Sequence, residues 1–253
     1  MSGWEISAAA GCCFAAAIVQ SVASFGFAVV ALALLPLLGV EIRQVIVGIT
    51  VLVVPNIAIA LWRVRRHVSI RRVGWVLLGI PLGTPVGLYL LACGPEWLLR
   101  GLLGGVLVAA AAEPLLRRSS APRPERRGAA LAAGVACGAL GAALSAGGPP
   151  VVVYFYGRRW AKDATKAAIM LTFAGSVLWR LVAYVAQVPL TAKELLTLPL
   201  GLTAMAYWPA VVVGTLVGER LFGALSQGGF RRAVAAMLVV CGLYQIGKAA
   251  GAW

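Results

Sequence analysis

Charge of one sign is almost missing from this chain: its 253 residues hold eight acidic side chains against 22 basic ones, and one histidine. That scarcity excludes much chemistry. No Asp or Glu lies at the centre of an apolar run, so paired-carboxylate catalysis and a proton relay through a buried acid have no seat there. His67 stands alone in a basic loop, so a His-centred triad or a zinc site would have to be built on it alone. The cysteines, Cys12, Cys13, Cys93, Cys137 and Cys241, lie in or beside apolar runs without metal-ligand spacing and read as small hydrophobic side chains. No metal and no cofactor is expected. The start, Met1-Ser2-Gly3-Trp4-Glu5, lacks the basic region of a cleavable signal peptide, so the first apolar run is expected to be retained.

What the chain has in excess is apolar length. Apolar residues make up 61% of it and charged residues 12%, about half the charged share of a soluble domain. Eight apolar runs, at 5–38, 44–62, 73–92, 97–116, 128–157, 164–187, 195–218 and 230–250, approach or exceed the ~20 residues that a spanning helix needs. A soluble protein has no way to bury so much apolar surface. The expected fold is therefore an all-α, polytopic membrane protein whose partner is the lipid bilayer. The net charge of +14 would suit nucleic acid, but the arginines sit in short connections: Arg63, Arg65, Arg66, Arg71 and Arg72, then Arg117, Arg118, Arg123, Arg126 and Arg127. Such clusters mark cytoplasmic loops facing anionic lipid. No groove-reading module is present, so no nucleic-acid partner is expected.

The two longest runs are both broken by glycine, at Ser24-Phe25-Gly26-Phe27 and at Ser145-Ala146-Gly147-Gly148-Pro149-Pro150. Backbone that leaves the helix inside a bilayer must line a cavity or be buried in protein. Other features repeat in the same order. Gly83-Thr84-Pro85-Val86-Gly87 matches Gly214-Thr215-Leu216-Val217-Gly218, and Trp97-Leu98-Leu99-Arg100 opens one run much as Phe230-Arg231-Arg232-Ala233 opens another. The organisation expected is a first repeat at 1–116, a cytoplasmic linker at 117–127 carrying Pro122 and Pro124, and a second repeat at 128–253.

Loop charge sets the topology. Eight single crossings would leave Arg158, Arg159, Lys162 and Lys166 outside against one acid, Asp163, in breach of the positive-inside rule. If 5–38 and 128–157 are instead hairpins that return to the side they entered, loops 63–72, 117–127, 158–166 and 219–232 all become cytoplasmic. Glu5, Glu41 with Arg43, Glu96 with Arg100, and Lys193 with Glu194 then stay outside. Each repeat is a Gly-broken helical hairpin plus three transmembrane helices. The odd number inverts the second repeat relative to the first, the architecture of alternating access.

A hairpin tip at mid-membrane exposes N–H groups at the start of its second leg, where they and the helix dipole favour an anion. Pro149 suits such a start, and Ser24 and Ser145 are placed to cap the second legs or donate to an anionic oxygen. Arg180 is the basic residue deepest in an apolar run; it must face the protein interior, water or an anion, or else snorkel to the interface. Lys166 and Arg43 flank the runs 164–187 and 44–62 in similar places and read first as solvated or lipid-facing charges, with the steering of anions as the alternative. Asn56 follows Pro55, whose kink would turn it toward the pocket, and Thr50 and Thr172 hold corresponding places. The candidate binding residues are Gln20, Ser21, Ser24, Phe25, Gly26, Asn56, Ser145, Gly147, Gly148, Pro149, Thr172 and Arg180. Glycine also serves close helix packing, the reading preferred for Gly11, Gly104, Gly105, Gly138 and Gly141; at Gly26 and Gly147-Gly148 both readings stand.

The segment Gln20–Phe27, followed by Pro36-Leu37-Leu38, resembles the first-half motif of the TauE/SafE sulfite exporter family. The second-half motif, a Gly/Ala-rich helix ending in Gly-Gly-Pro and a short leg with tyrosine, is similar to Gly134–Tyr156. The resemblance spans nearly the whole chain. It implies a secondary transporter of small anions, chiefly sulfite, sulfonates and related organic acids, in the bacterial inner membrane. The expected function is export of such an anion by alternating access, with the substrate between the two tips. A homodimer is compatible with this reading. The alternatives are an anion channel, separable by saturable flux, and an intramembrane enzyme, which would need a catalytic constellation the spans do not offer.

Overall fold

The computed structural model describes residues 3–95, 97–102, 104–105, 108, 126–158, 160–185, 197–224, 239, 243, 246–247 and 249–251. The expected span at 230–250, most of 97–116, the linker up to Glu125 and the Lys193–Glu194 connection lie outside the described residues. Among the described residues every regular element is helical. Five helices are long and apolar enough to cross a bilayer: Trp4–Ala23, Ile42–Arg63, Ile70–Cys93, Arg127–Leu144 and Lys162–Tyr184. A sixth span forms if Pro199–Ala206 and Trp208–Phe222, bent by 43°, are taken together. The chain is a multi-pass, all-α membrane protein.

Both glycine breaks interrupt helices. Helix α1 (Gly3–Ala23) stops before Ser24, and α2 (Phe27–Leu34) starts after Gly26, continuing into a 3-10 turn at Leu35–Leu38. Ser24 (φ 64°) and Gly26 (φ 112°) take left-handed backbone, which ends a helix and which glycine adopts without a Cβ penalty. The next elements are α3 (Ile42–Leu52), α4 (Val54–Arg63) and α5 (Ile70–Cys93). Pro55 has no N–H to donate to the Val51 carbonyl, four residues back. Trp208 Nε1 donates to that carbonyl instead, at 3.1 Å, so a side chain stabilises the bend between α3 and α4. In the second half, α6 (Arg127–Leu144) stops before Ser145 and α7 (Gly148–Tyr156) begins after Gly147, with proline in its first turn. Ser145, at φ 51°, is left-handed like Ser24, 121 positions earlier. Then follow α8 (Lys162–Val185), α9 (Leu198–Ala206) and α10 (Trp208–Ala224).

Two glycine seams hold the long helices together. A Cβ added at Gly83 or Gly87 of α5 would strike the carbonyls of Val135 and Ala139 on α6. One added at Gly214 or Gly218 of α10 would lie 2.5 Å from the carbonyl of Phe14 or 2.9 Å from that of Ile18, on α1. The contacts recur in register: Gly83 and Gly87 precede Gly214 and Gly218 by 131 positions, and Phe14 and Ile18 precede Val135 and Ala139 by 121. Small residues let membrane helices approach closely enough for dispersion and weak Cα–H contacts to hold them. Gly138 packs likewise on Ile80, as expected. Gly11 and Gly105, also expected to pack, meet no neighbour among the described residues.

Three contacts gather basic connections at one end of the bundle, here called the basic end. The Arg72 guanidinium lies 5.1 Å from the Trp160 ring centroid, and that of Arg127 lies 5.4 Å from the Trp75 ring. Lys162 Nζ donates to the Phe222 carbonyl at 3.1 Å. At the opposite end Arg43 donates to the carbonyls of Ala92 (3.3 Å) and Gly94 (2.8 Å), which close α5. Arg43 is thus a helix cap, not the lipid-facing charge expected. One buried apolar cluster joins α1, α2 and α3 to the C-terminal parts of α5, α6 and α8; a second joins α7 to the N-terminal parts of α5, α6 and α8. Phe25, between α1 and α2, packs on both clusters.

Candidate functional site

The two breaks meet. A Cβ at Gly148 would lie 3.2 Å from the Phe25 Cβ and 3.4 Å from the Phe173 ring, so the tip of one broken segment rests on the tip of the other. Beside this contact is a cavity of about 50 Å³. At roughly 10–15 Å³ per water-sized body, it has the scale of a small polyatomic ion and is far too small for a nucleotide.

Gln20, Phe25, Gly26, Ser145, Gly147, Gly148, Pro149 and Arg180 all line this cavity. Gly26 meets Val19 Cγ1 at 3.0 Å from an ideal Cβ, and Gly147 meets the Cys137 carbonyl at 2.5 Å. The glycines therefore serve both readings: they let each leg turn back on its own hairpin, and they leave the wall open. Ser21, Ser24, Asn56 and Thr172 are buried but do not line the cavity. Asn56 Nδ2 donates instead to the Ala17 carbonyl, Ser21 Oγ and Thr215 Oγ1, at 3.2, 3.0 and 2.8 Å. That network ties α4 to α1 and α10. Thr172 donates to the Ala168 carbonyl within its own helix. Asn56, expected at the pocket, stands instead at a helix junction.

The serine caps also take another form. Neither second leg has a side-chain cap on its N-terminal residue. The left-handed backbone turns Ser145 toward α3, where its Oγ donates to the Ile46 carbonyl at 2.7 Å. On the first hairpin the donor exposed at the start of α2, the Phe27 N–H, is taken by Gln20 Oε1 at 3.1 Å. A glutamine seven residues upstream thus does the work expected of Ser24.

Arg180 lies within the protein rather than snorkelling to its edge, at 4% exposure. Its Nη1 donates to the Gly141 carbonyl at 2.6 Å and to Ser145 Oγ at 2.8 Å. Its buried Nε–H has no hydrogen-bond partner. Among the described residues no carboxylate lies within ion-pair reach of it; the ion pair found there joins Lys166 and Glu219. A guanidinium so placed, with its Nε–H unpaired and only neutral partners on Nη1, carries an uncompensated positive charge into the cavity wall. Gln20, its oxygen held by Phe27, keeps its amide N–H donors for the same space. The wall is thus built of donors, glycine backbone and apolar surface, suited to an anion and not to a metal; among the described residues no cluster of metal-ligating side chains occurs.

Sequence reasoning missed several lining residues: Ile49, Val53, Cys137, Gly141, Phe173 and Ser176. Ser176 and Phe173 sit one and two helical turns before Arg180 on α8, a spacing that a helical reading around Arg180 would have offered. Gly141, expected to pack, does so, since a Cβ there would lie 3.3 Å from Ser176 Oγ and 3.9 Å from the Gly147 Cα, and it lines the cavity as well.

The family model described as "Sulfite exporter TauE/SafE" matches residues 9–245. The chain is 24% identical over 238 residues to a protein of Cupriavidus necator described as "Probable sulfite/organosulfonate exporter TauE", with 92% of this chain and 91% of that one covered. No solved structure matches the chain.

Proposed function

The chain belongs to the sulfite exporter TauE/SafE family of membrane transporters, and on that premise we propose that it carries a small oxyanion of the sulfite or organosulfonate class, bound between its two broken-helix tips. One observation carries the reading: the buried, carboxylate-free guanidinium of Arg180 in the wall of a cavity built from both tips. A cation held this way is stable when an anion shares its cavity. The resting contacts with Gly141 and Ser145 hold the guanidinium at the wall, and its free Nε–H is the donor an oxyanion takes.

Alternating access follows from the same parts. The α1–α2 segment comes from and returns to the end marked by Arg43, and α6–α7 comes from and returns to the basic end. Together with the glycine seams that recur in register, this supports two repeats of opposite orientation, 1–116 and 128–253, rocking about the tip contact. With the basic end in the cytoplasm, the membrane potential drives an anion outward by ~2.3 kcal/mol per charge per 100 mV, which suits export.

The test is sulfite flux through purified protein in proteoliposomes. Saturable flux with trans-stimulation is the expected result; linear flux without trans-stimulation would mean a channel. Arg180→Gln should raise the sulfite KM by about 10- to 100-fold, the loss of a charge-assisted hydrogen bond worth roughly 1.5–3 kcal/mol. Arg180→Lys should recover part of it. An unchanged KM in the Gln variant removes Arg180 from the site.

A further inference from the structure

Lys166 and Glu219 form a buried ion pair that the central cavity does not use. Lys166 Nζ lies 2.6 Å from Glu219 Oε1, with the two side chains 2% and 3% exposed. The same ammonium donates to the Ser21 carbonyl at 3.1 Å, in the last turn of α1, and lies 3.9 Å from the Phe222 ring centroid. Sequence reasoning had put this lysine in solvent or lipid; it is instead locked between α1, α8 and α10. Stability alone does not call for such a pair, because apolar residues of similar volume serve a buried position as well or better.

Its place relative to the cavity suggests another role. Lys166, Phe173 and Arg180 recur at intervals of seven residues on α8, so they share one face of that helix. Phe173 and Arg180 line the cavity. At ~1.5 Å per residue, Lys166 stands about 10 Å beyond Phe173 toward the basic end. From the other side, Ser21 directly follows Gln20, which also lines the cavity. The ion pair therefore lies between the cavity and the basic end. Outside it, exposed cations wait: Lys162, 3.7 Å from the Phe222 ring, and Arg63 at the end of α4, both acting electrostatically on Lys166. Glu219 is the carboxylate paired with Lys166; Asp163, next to Lys162 in the first turn of α8, is exposed.

We propose that Lys166 is a second oxyanion station, occupied at rest by the Glu219 carboxylate, and that a substrate oxyanion entering from the basic end displaces Glu219 to open the route to Arg180. A carboxylate and a sulfite or sulfonate group present the same chemistry to an ammonium, oxygens that accept a charge-assisted hydrogen bond. Exchange of one for the other preserves the pairing of Lys166, so the ammonium is never stranded without a counter-charge. The freed Glu219 swings toward Lys162 and Arg63, which neutralise it. The empty carrier thereby stays sealed, and opening is conditional on cargo. The inference rests on the anion-transport reading above and adds to it the residue pair that admits the substrate.

The test measures [35S]sulfite transport in proteoliposomes of defined orientation, with the KM taken separately at the basic face and at the opposite face. Glu219→Gln removes the competing charge and should lower the basic-face KM at least threefold. Lys166→Met should raise it tenfold or more while the opposite-face KM stays within twofold, and Lys166→Arg should restore it to within threefold of the parent. Because Lys166→Met strands Glu219, the decisive protein is the double variant Lys166→Met/Glu219→Leu, which replaces the pair by packed apolar side chains. It should reach the membrane, unfold at a temperature close to the parent's, and show the same loss confined to the basic face. A double variant with parental KM at both faces, or equal losses at both faces, would overturn the inference and leave the Arg180 site standing. A parent without saturable sulfite flux sinks the transport reading, and this inference with it.

Discussion

At the scale of single residues, what matters in this protein is which buried polar atoms have partners. Arg180 was visible in the sequence because a guanidinium deep in an apolar run is costly anywhere but an interior or an anion site. Its coordination by Gly141 and Ser145 was not visible, because those partners come from a different helix. Lys166 was misread for the same reason: a lysine four residues into an apolar run looks free to snorkel until Glu219, 53 positions away, is seen at 2.6 Å. The tip glycines were legible as breaks, but not as contact points. Gly26 has φ 112° and Gly148 bears on Phe25, so the two respond differently to a side chain. Gly26→Val imposes a Cβ on left-handed backbone and should lower both folded yield and transport. Gly148→Val leaves an ordinary backbone undisturbed and instead pushes on Phe25 at the cavity wall. It should cut sulfite flux at least tenfold at near-parental yield, read as counterflow against fluorescence-detected size exclusion. Parental flux in Gly148→Val would mean that the tips do not need their close contact for transport.

At the scale of elements, helix packing carries most of the sequence pattern. The match between Gly83–Gly87 and Gly214–Gly218 reads in the sequence as a repeat, and in the structure as two equivalent seams, α5 on α6 and α10 on α1. What periodicity could not supply is which partner each seam takes. The spacing of glycines fixes a face of its own helix and nothing about the opposite one. That limit explains Gly11, which shares the composition of a packing glycine but meets no neighbour among the described residues. It also explains Asn56. The missing N–H of Pro55 was readable in the sequence, but not that Trp208 donates to the Val51 carbonyl it leaves free, nor that Asn56 bonds to α1 and α10. The seams give a graded prediction. Gly83→Leu and Gly214→Leu each force a side chain into a backbone–backbone contact and should destabilise the protein by about 1–3 kcal/mol or more. Gly11→Leu should leave the unfolding temperature within error. Thermal unfolding of the detergent-solubilised variants measures all three; a Gly11→Leu loss equal to the others would mean that the α1 surface is covered in the native membrane.

At the scale of the whole molecule, loop charge and side-chain contacts bear on one question, which connections share an end of the bundle. The positive-inside rule grouped 63–72, 117–127, 158–166 and 219–232 on one side from charge alone. The cation–ring contacts of Arg72 with Trp160 and Arg127 with Trp75, and the Lys162–Phe222 hydrogen bond, gather parts of the same connections among the described residues. Neither route says which compartment that end faces, and neither alone proves that the second repeat is inverted. Membrane-impermeant maleimide labelling on intact cells decides both. In a background where exposed Cys93 is replaced by serine, Glu41→Cys and Ala161→Cys put single reporters at the opposite ends, each on an exposed residue. Glu41→Cys should label from outside, while Ala161→Cys should label only after the membrane is permeabilised. Labelling of both from the same face would remove the hairpins, because eight single crossings are then the arrangement that remains. Labelling with the faces exchanged would keep the hairpins but turn the basic end outward. The membrane potential would then oppose passage of an anion from Lys166 to Arg180, and the direction of transport would have to be reversed.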